Sequence, residues 1–156
     1  MVASTRVEAK EPEARFVVFA RDASHWLFQF SPREWIGAAL KEVEQADRAG
    51  KLRNVAGAIA SARRAAGMAL NGALICEPKE HWGRSYVEHI AGLEKEESIP
   101  AAVREACAIL RGAKAPGPAL TTLRTQKSDE RILEAARDII AHAYTIVVHH
   151  EGNEHE

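Results

Sequence analysis

Residues 52–76 read LRNVAGAIASARRAAGMALNGALIC, and this stretch decides the fold. Leu52, Val55, Ala56, Ile59, Ala66, Leu70, Ala73 and Leu74 recur at helical spacing and make one apolar stripe. Much of that stripe is small, and small side chains let a neighbouring helix approach closely. Pro78 ends the run, so a helix from about Leu52 to Cys76 is expected. The bias extends along the chain. Alanine supplies 29 of 156 residues, against 10 Gly and 6 Pro, and alanine loses the least on entering a helix. With 46% of residues hydrophobic, the chain is neither a disordered polymer nor an all-β sandwich.

Working outward, four more helices follow from caps and periodicity. Ser31-Pro32-Arg33-Glu34 combines an N-cap, a proline at the first helical position and a capping-box glutamate. Trp35, Ile36, Ala39, Leu40, Val43 and Ala46 form the inner face behind it, and Gly50 is expected to close that helix. Ser85 with Glu88 opens another, with Tyr86, Val87, Ile90 and Leu93 inward. A short helix runs from Pro100 to about Arg111, with Val103, Cys107 and Leu110 inward, closed by Gly112. The loop from Ala113 to Lys127 contains Pro116-Gly117-Pro118. A last helix opens at Ser128 and carries Ile132, Leu133, Ala136, Ile139, Ile140, Ala143 and Val147 on one side. The expected architecture is all-α, an antiparallel up-and-down bundle of about five helices over residues 31–150. Residues 151–156 read as a frayed polar tail.

Residues 1–30 form an N-terminal extension. Five of the nine aromatic residues lie between Phe16 and Phe30. Phe16–Phe19 and Trp26–Phe30 suit a β-hairpin by their aromatic and β-branched content, although the same residues also fit one face of a helix. Either arrangement needs cover from the bundle or from a second subunit.

The net charge of −1 offers no bulk attraction to nucleic acid or a membrane surface. No run approaches a membrane span and no apolar leader is present, so a cytoplasmic, reduced protein is expected. Cys76 and Cys107 read as small core hydrophobes, and His149, His150 and His155 lack the spacing of a metal site. No cofactor motif is found. Local charge is more telling. Residues 106–128 contain Arg111, Lys114, Arg124 and Lys127 and no acid, with Thr121, Thr122 and Thr125 as hydroxyl donors. Together with Arg63 and Arg64 these are the candidate ligand-binding cations, suited to phosphate or carboxylate.

Four segments in this order resemble the HEPN domain family. They are Glu34-Trp35 with Ala38-Ala39-Leu40; Ala62 to Leu70 ending in Ala73-Leu74-Ile75; Glu88-His89-Ile90 with Leu93; and Ile132 to Arg137. The resemblance covers about three quarters of the chain, from Ser31 to Val148. It implies a helical bundle, commonly dimeric and often partnered by a nucleotidyltransferase. Catalytic members of that family are metal-independent ribonucleases with an Arg, a polar residue and a His five positions after the Arg. Arg137-Asp138 and His142 match that pattern, and Tyr144 resembles the tyrosine that a partner nucleotidyltransferase modifies with AMP. Arginine could stabilise phosphorane charge while histidine moves a proton. Against this, residues five apart on a helix point about 140° apart. Arg137 also lies more than two turns inside its helix. His89 is expected to be structural, hydrogen-bonded near a helix terminus. The leading expectation is therefore a noncatalytic, homodimeric HEPN-like module binding a nucleotide, RNA or a protein partner. A HEPN ribonuclease toxin using Arg137, His142 and Tyr144 is the alternative. A structural protein oligomerising through its aromatic extension is the third.

Overall fold

The computed structural model describes residues 26–115 and 126–154, with residues 126–128 and 154 described as backbone. Five α-helices form an all-α bundle: α1 (Pro32–Lys51), α2 (Val55–Cys76), α3 (Tyr86–Glu94), α4 (Ala101–Gly112) and α5 (Gln126–Glu154). A 3-10 turn at Trp26–Gln29 precedes α1, and another at Glu80–Trp82 lies between α2 and α3. No helix among the described residues is long and apolar enough to cross a membrane.

The small-residue stripe makes α2 the centre of the bundle. Ala62, Ala65, Ala66, Ala69, Leu70 and Ala73 are wholly buried, and α1, α3, α4 and α5 all pack against this helix. Two glycines measure how close the approach is. A Cβ on Gly67 would sit 2.3 Å from the Tyr86 side chain, and one on Gly72 would sit 2.8 Å from the Pro32 carbonyl oxygen. Alanine and glycine thus set the spacing, and the larger Ile59, Leu70 and Leu74 fill between helices with Ile90, Leu93, Leu110, Ile139 and Val147.

Both expected capping boxes form. Ser31 Oγ accepts from Glu34 N at 3.1 Å while Ser31 N donates to Glu34 Oε1 at 2.8 Å. The Ser85–Glu88 pair does the same at 3.1 and 3.0 Å. The α1–α2 junction differs from expectation. Gly50 stays inside α1, and Arg53 takes the left-handed position with φ 66°. Arg53 N donates to Gly50 O at 3.0 Å and Asn54 N to Ala49 O at 2.8 Å, which is a Schellman closure. Asn54 then caps α2 by accepting from Gly57 N at 3.0 Å, so α2 begins at Val55. Leu52 consequently falls in the turn and is 80% exposed instead of lying on the stripe.

Other expectations also needed correction. Leu40 and Val87 face outward, because their helices roll so that Ile36, Val43, Ile90 and Leu93 take the interior. Trp26–Gln29 is a 3-10 turn and not a strand, and the proposed partner segment at 16–19 lies outside the described residues. The aromatic surface there is covered only in part, since Trp26 and Phe30 remain 41% and 38% exposed. Trp26 and Phe30 stand edge-on to Trp35, at 6.5 and 4.8 Å between ring centres, and Trp35 Nε1 donates to Leu27 O at 2.8 Å. At the other end, α5 continues through the expected tail to Glu154. Its last turns are held because Arg33 Nε and Nη2 grip Glu151 at 2.9–3.1 Å.

Candidate functional site

The three residues suggested by the ribonuclease pattern do not converge within one chain. Arg137 and Tyr144 are seven residues apart on α5 and share a flank, whereas His142 is about 140° away. Tyr144 lies against α1, where Arg33 Nη1 donates to its hydroxyl at 3.4 Å and the guanidinium sits 5.5 Å from the ring centre. His142 lies on the opposite flank within the field of Glu96 and Glu77, and its pKa is lowered by partial burial. Arg137 is exposed.

That second flank belongs to a polar cluster around Glu96. Its carboxylate accepts from buried Trp82 Nε1 at 2.6 Å and meets His81 Nε2 at 3.1 Å, with Lys79 Nζ at 3.9 Å. The cluster anchors the 3-10 turn at Glu80–Trp82 to the end of α3. His89 fastens the same turn from inside. Its Nδ1 donates to the Trp82 carbonyl at 2.9 Å, and its Nε2 lies 2.9 Å from the Asn71 amide. His89 is therefore structural, as expected from sequence. Burial lowers its pKa and keeps the ring neutral, so Nε2 must accept. In the structure it is Asn71 Oδ1 that faces Nε2, and Asn71 Nδ2 is buried without a hydrogen-bond partner, so the exchange of the two amide atoms is the arrangement that a neutral His89 favours.

The candidate ligand-binding cations separate by what already holds them. Arg63 is engaged internally: Nε donates to Leu110 O at 2.8 Å, and Nη2 donates to Arg111 O and to Ala113 O. It thereby satisfies carbonyls that the end of α4 leaves open. Arg64 pairs with Glu42 across α1 and α2. Arg111 makes a two-pronged contact with Glu94, at 2.6 and 3.0 Å, which holds that carboxyl below its usual range and the guanidinium above its own. Arg124 lies outside the described residues, as does the Lys127 side chain.

Lys114 is exposed, without an ion pair among the described residues, and it helps to line a cleft between α4 and α5. The cleft encloses about 360 Å³ and is open to solvent. Ala108, Ile109 and Ile132 form its walls, Gly112 and Ala113 its lip, and Lys114 and Arg131 its charge. Arg131 was not among the sequence candidates, because it belongs to α5 and not to the basic loop. The available signal was its place beside Ile132, whose burial turns that flank of α5 towards α4. Among the described residues, no carboxylate lines the cleft.

Comparison with known proteins returns no matching family model, no matching curated protein and no matching solved structure.

Proposed function

We propose that this chain is a noncatalytic helical binding module, HEPN-like in the order of its helices, whose ligand carries negative charge. The leading candidates at this level are a nucleotide, RNA or an acidic segment of a protein partner, with the module acting as a homodimer. The observation that carries the reading is the α4–α5 cleft, where Lys114 and Arg131 stand without ion-pair partners among the described residues and no carboxylate lines the walls. Two exposed cations beside an open depression with aliphatic walls suit an anion by ordinary chemistry. The division of Arg137 and Tyr144 from His142 supports the noncatalytic part.

The test is titration of the purified chain with nucleotides and short RNA while its melting temperature is followed. A ligand at 100 times its dissociation constant adds about 2.7 kcal/mol of stability. Flat melting curves with every anion would remove the proposal. The ribonuclease alternative, with a nucleotidyltransferase partner, requires a second copy to bring Arg137 opposite His142. RNA cleavage that disappears in His142→Ala would establish it in place of the binding module.

A further inference from the structure

We infer that the cleft between α4 and α5 takes a small anion carried on an aliphatic body, a carboxylate or phosphate at the end of a short alkyl chain. This rests on the binding-module reading and narrows it. The two cations stand at the cleft while the walls of Ala108, Ile109 and Ile132 are purely aliphatic. Among the described residues, no aromatic ring lines the cleft to stack on a base, and no amide or hydroxyl side chain is there to read a base edge. A bare phosphate would use the charge and leave the apolar walls wet. An alkyl chain covers them, and each methylene buried contributes up to roughly fourfold in affinity.

The electrostatics of the neighbourhood favour an anion there. The last carbonyls of a helix carry partial negative charge that repels one. At α4 the guanidinium of Arg63 sits on the carbonyls of Leu110, Arg111 and Ala113 and offsets that charge beside the cleft. Arg111 already holds Glu94 on α3 by both carboxylate oxygens, and Asp129, Glu130 and Glu134, the acids beside Arg131 along α5, are not among the described residues that line the cleft. Lys114 and Arg131 are left as uncompensated charge facing the same apolar walls.

The experiment is isothermal titration of the full chain with butanoate, hexanoate, octanoate and hexyl phosphate, with inorganic phosphate and AMP alongside. The dissociation constant should fall with each added methylene for either headgroup. The double variant Lys114→Glu/Arg131→Glu should weaken every alkyl anion at least tenfold while its unliganded melting temperature stays unchanged. Both positions are exposed, so the variant keeps its fold. Octanoate affinity that survives the double variant would overturn the assignment to this cleft. AMP binding more tightly than octanoate, with that binding lost in the double variant, would overturn the aliphatic ligand and leave the binding module standing. If no anion binds, both fall.

Discussion

Arg63 and Arg111, on one side of the end of α4, contrast with Lys114 and Arg131 on the other. The first pair is saturated: Arg63 by three backbone carbonyls, Arg111 by the Glu94 carboxylate. The second pair faces a cleft and meets no acid among the described residues. Counted along the sequence these cations look alike. In the fold, one pair serves the end of α4 while the other has no ion-pair partner among the described residues. Local charge density therefore overstates the charge on offer, because an arginine near a helix C-terminus finds carbonyls before it finds a partner molecule.

The contrast can be broken from its saturated side with the largest effects. His89→Ala should cost about 2–4 kcal/mol in chemical denaturation, because it opens a cavity and leaves the Trp82 carbonyl and the Asn71 amide buried without a partner. Arg63→Ala should cost about 1–3 kcal/mol, since the carbonyls at the end of α4 lose their donor. The contrast also predicts a pH dependence. The unfolded chain titrates its histidines near pH 6.5, while burial holds His89 and His142 lower in the fold. Stability from these groups is complete above that value. It is lost as pH falls through it, because the unfolded chain then takes up the extra protons. The melting temperature should thus drop between pH 7.5 and 5, and a neutral His89→Gln variant should show a shallower slope. A slope unchanged by that variant would show that His89 is not held neutral.

Smaller effects are expected where the structure is strained or open. Arg53→Gly should stabilise by about 0.5–1 kcal/mol, because a side chain at φ 66° is strained and glycine is not. Lys114→Ala and Arg131→Ala should each change stability by less than about 0.5 kcal/mol, as exposed groups without internal partners do. A loss above 1 kcal/mol at either would erase the distinction between spent and free cations.

How much of this was legible depended on whether the deciding interaction was local. The capping boxes at Ser31 and Ser85 bind residues three positions apart, and both were readable in sequence. The alanine stripe of α2 was readable as a close-packing face. His89 was readable as a structural histidine, although its partners Asn71 and Trp82 were not, being 18 and 7 residues away. The end of α1 was misplaced because glycine, the usual left-handed residue, stood at position 50 while Arg53 accepted the strain. The tail was misplaced because α5 continues to Glu154, where Glu151 meets Arg33, 118 residues earlier in the chain. Arg131 was missed because a cleft between two helices has no contiguous sequence.

The amino-acid sequence alone therefore specifies the helices, their order and the small-residue face on which they close, since propensity, capping and periodicity act within a few residues of chain. Tertiary structure decides which cations are neutralised and which are left, and on which flanks of α5 Arg137, Tyr144 and His142 emerge. Those outcomes depend on helix rotation and on contacts across more than a hundred residues, and no local pattern encodes either.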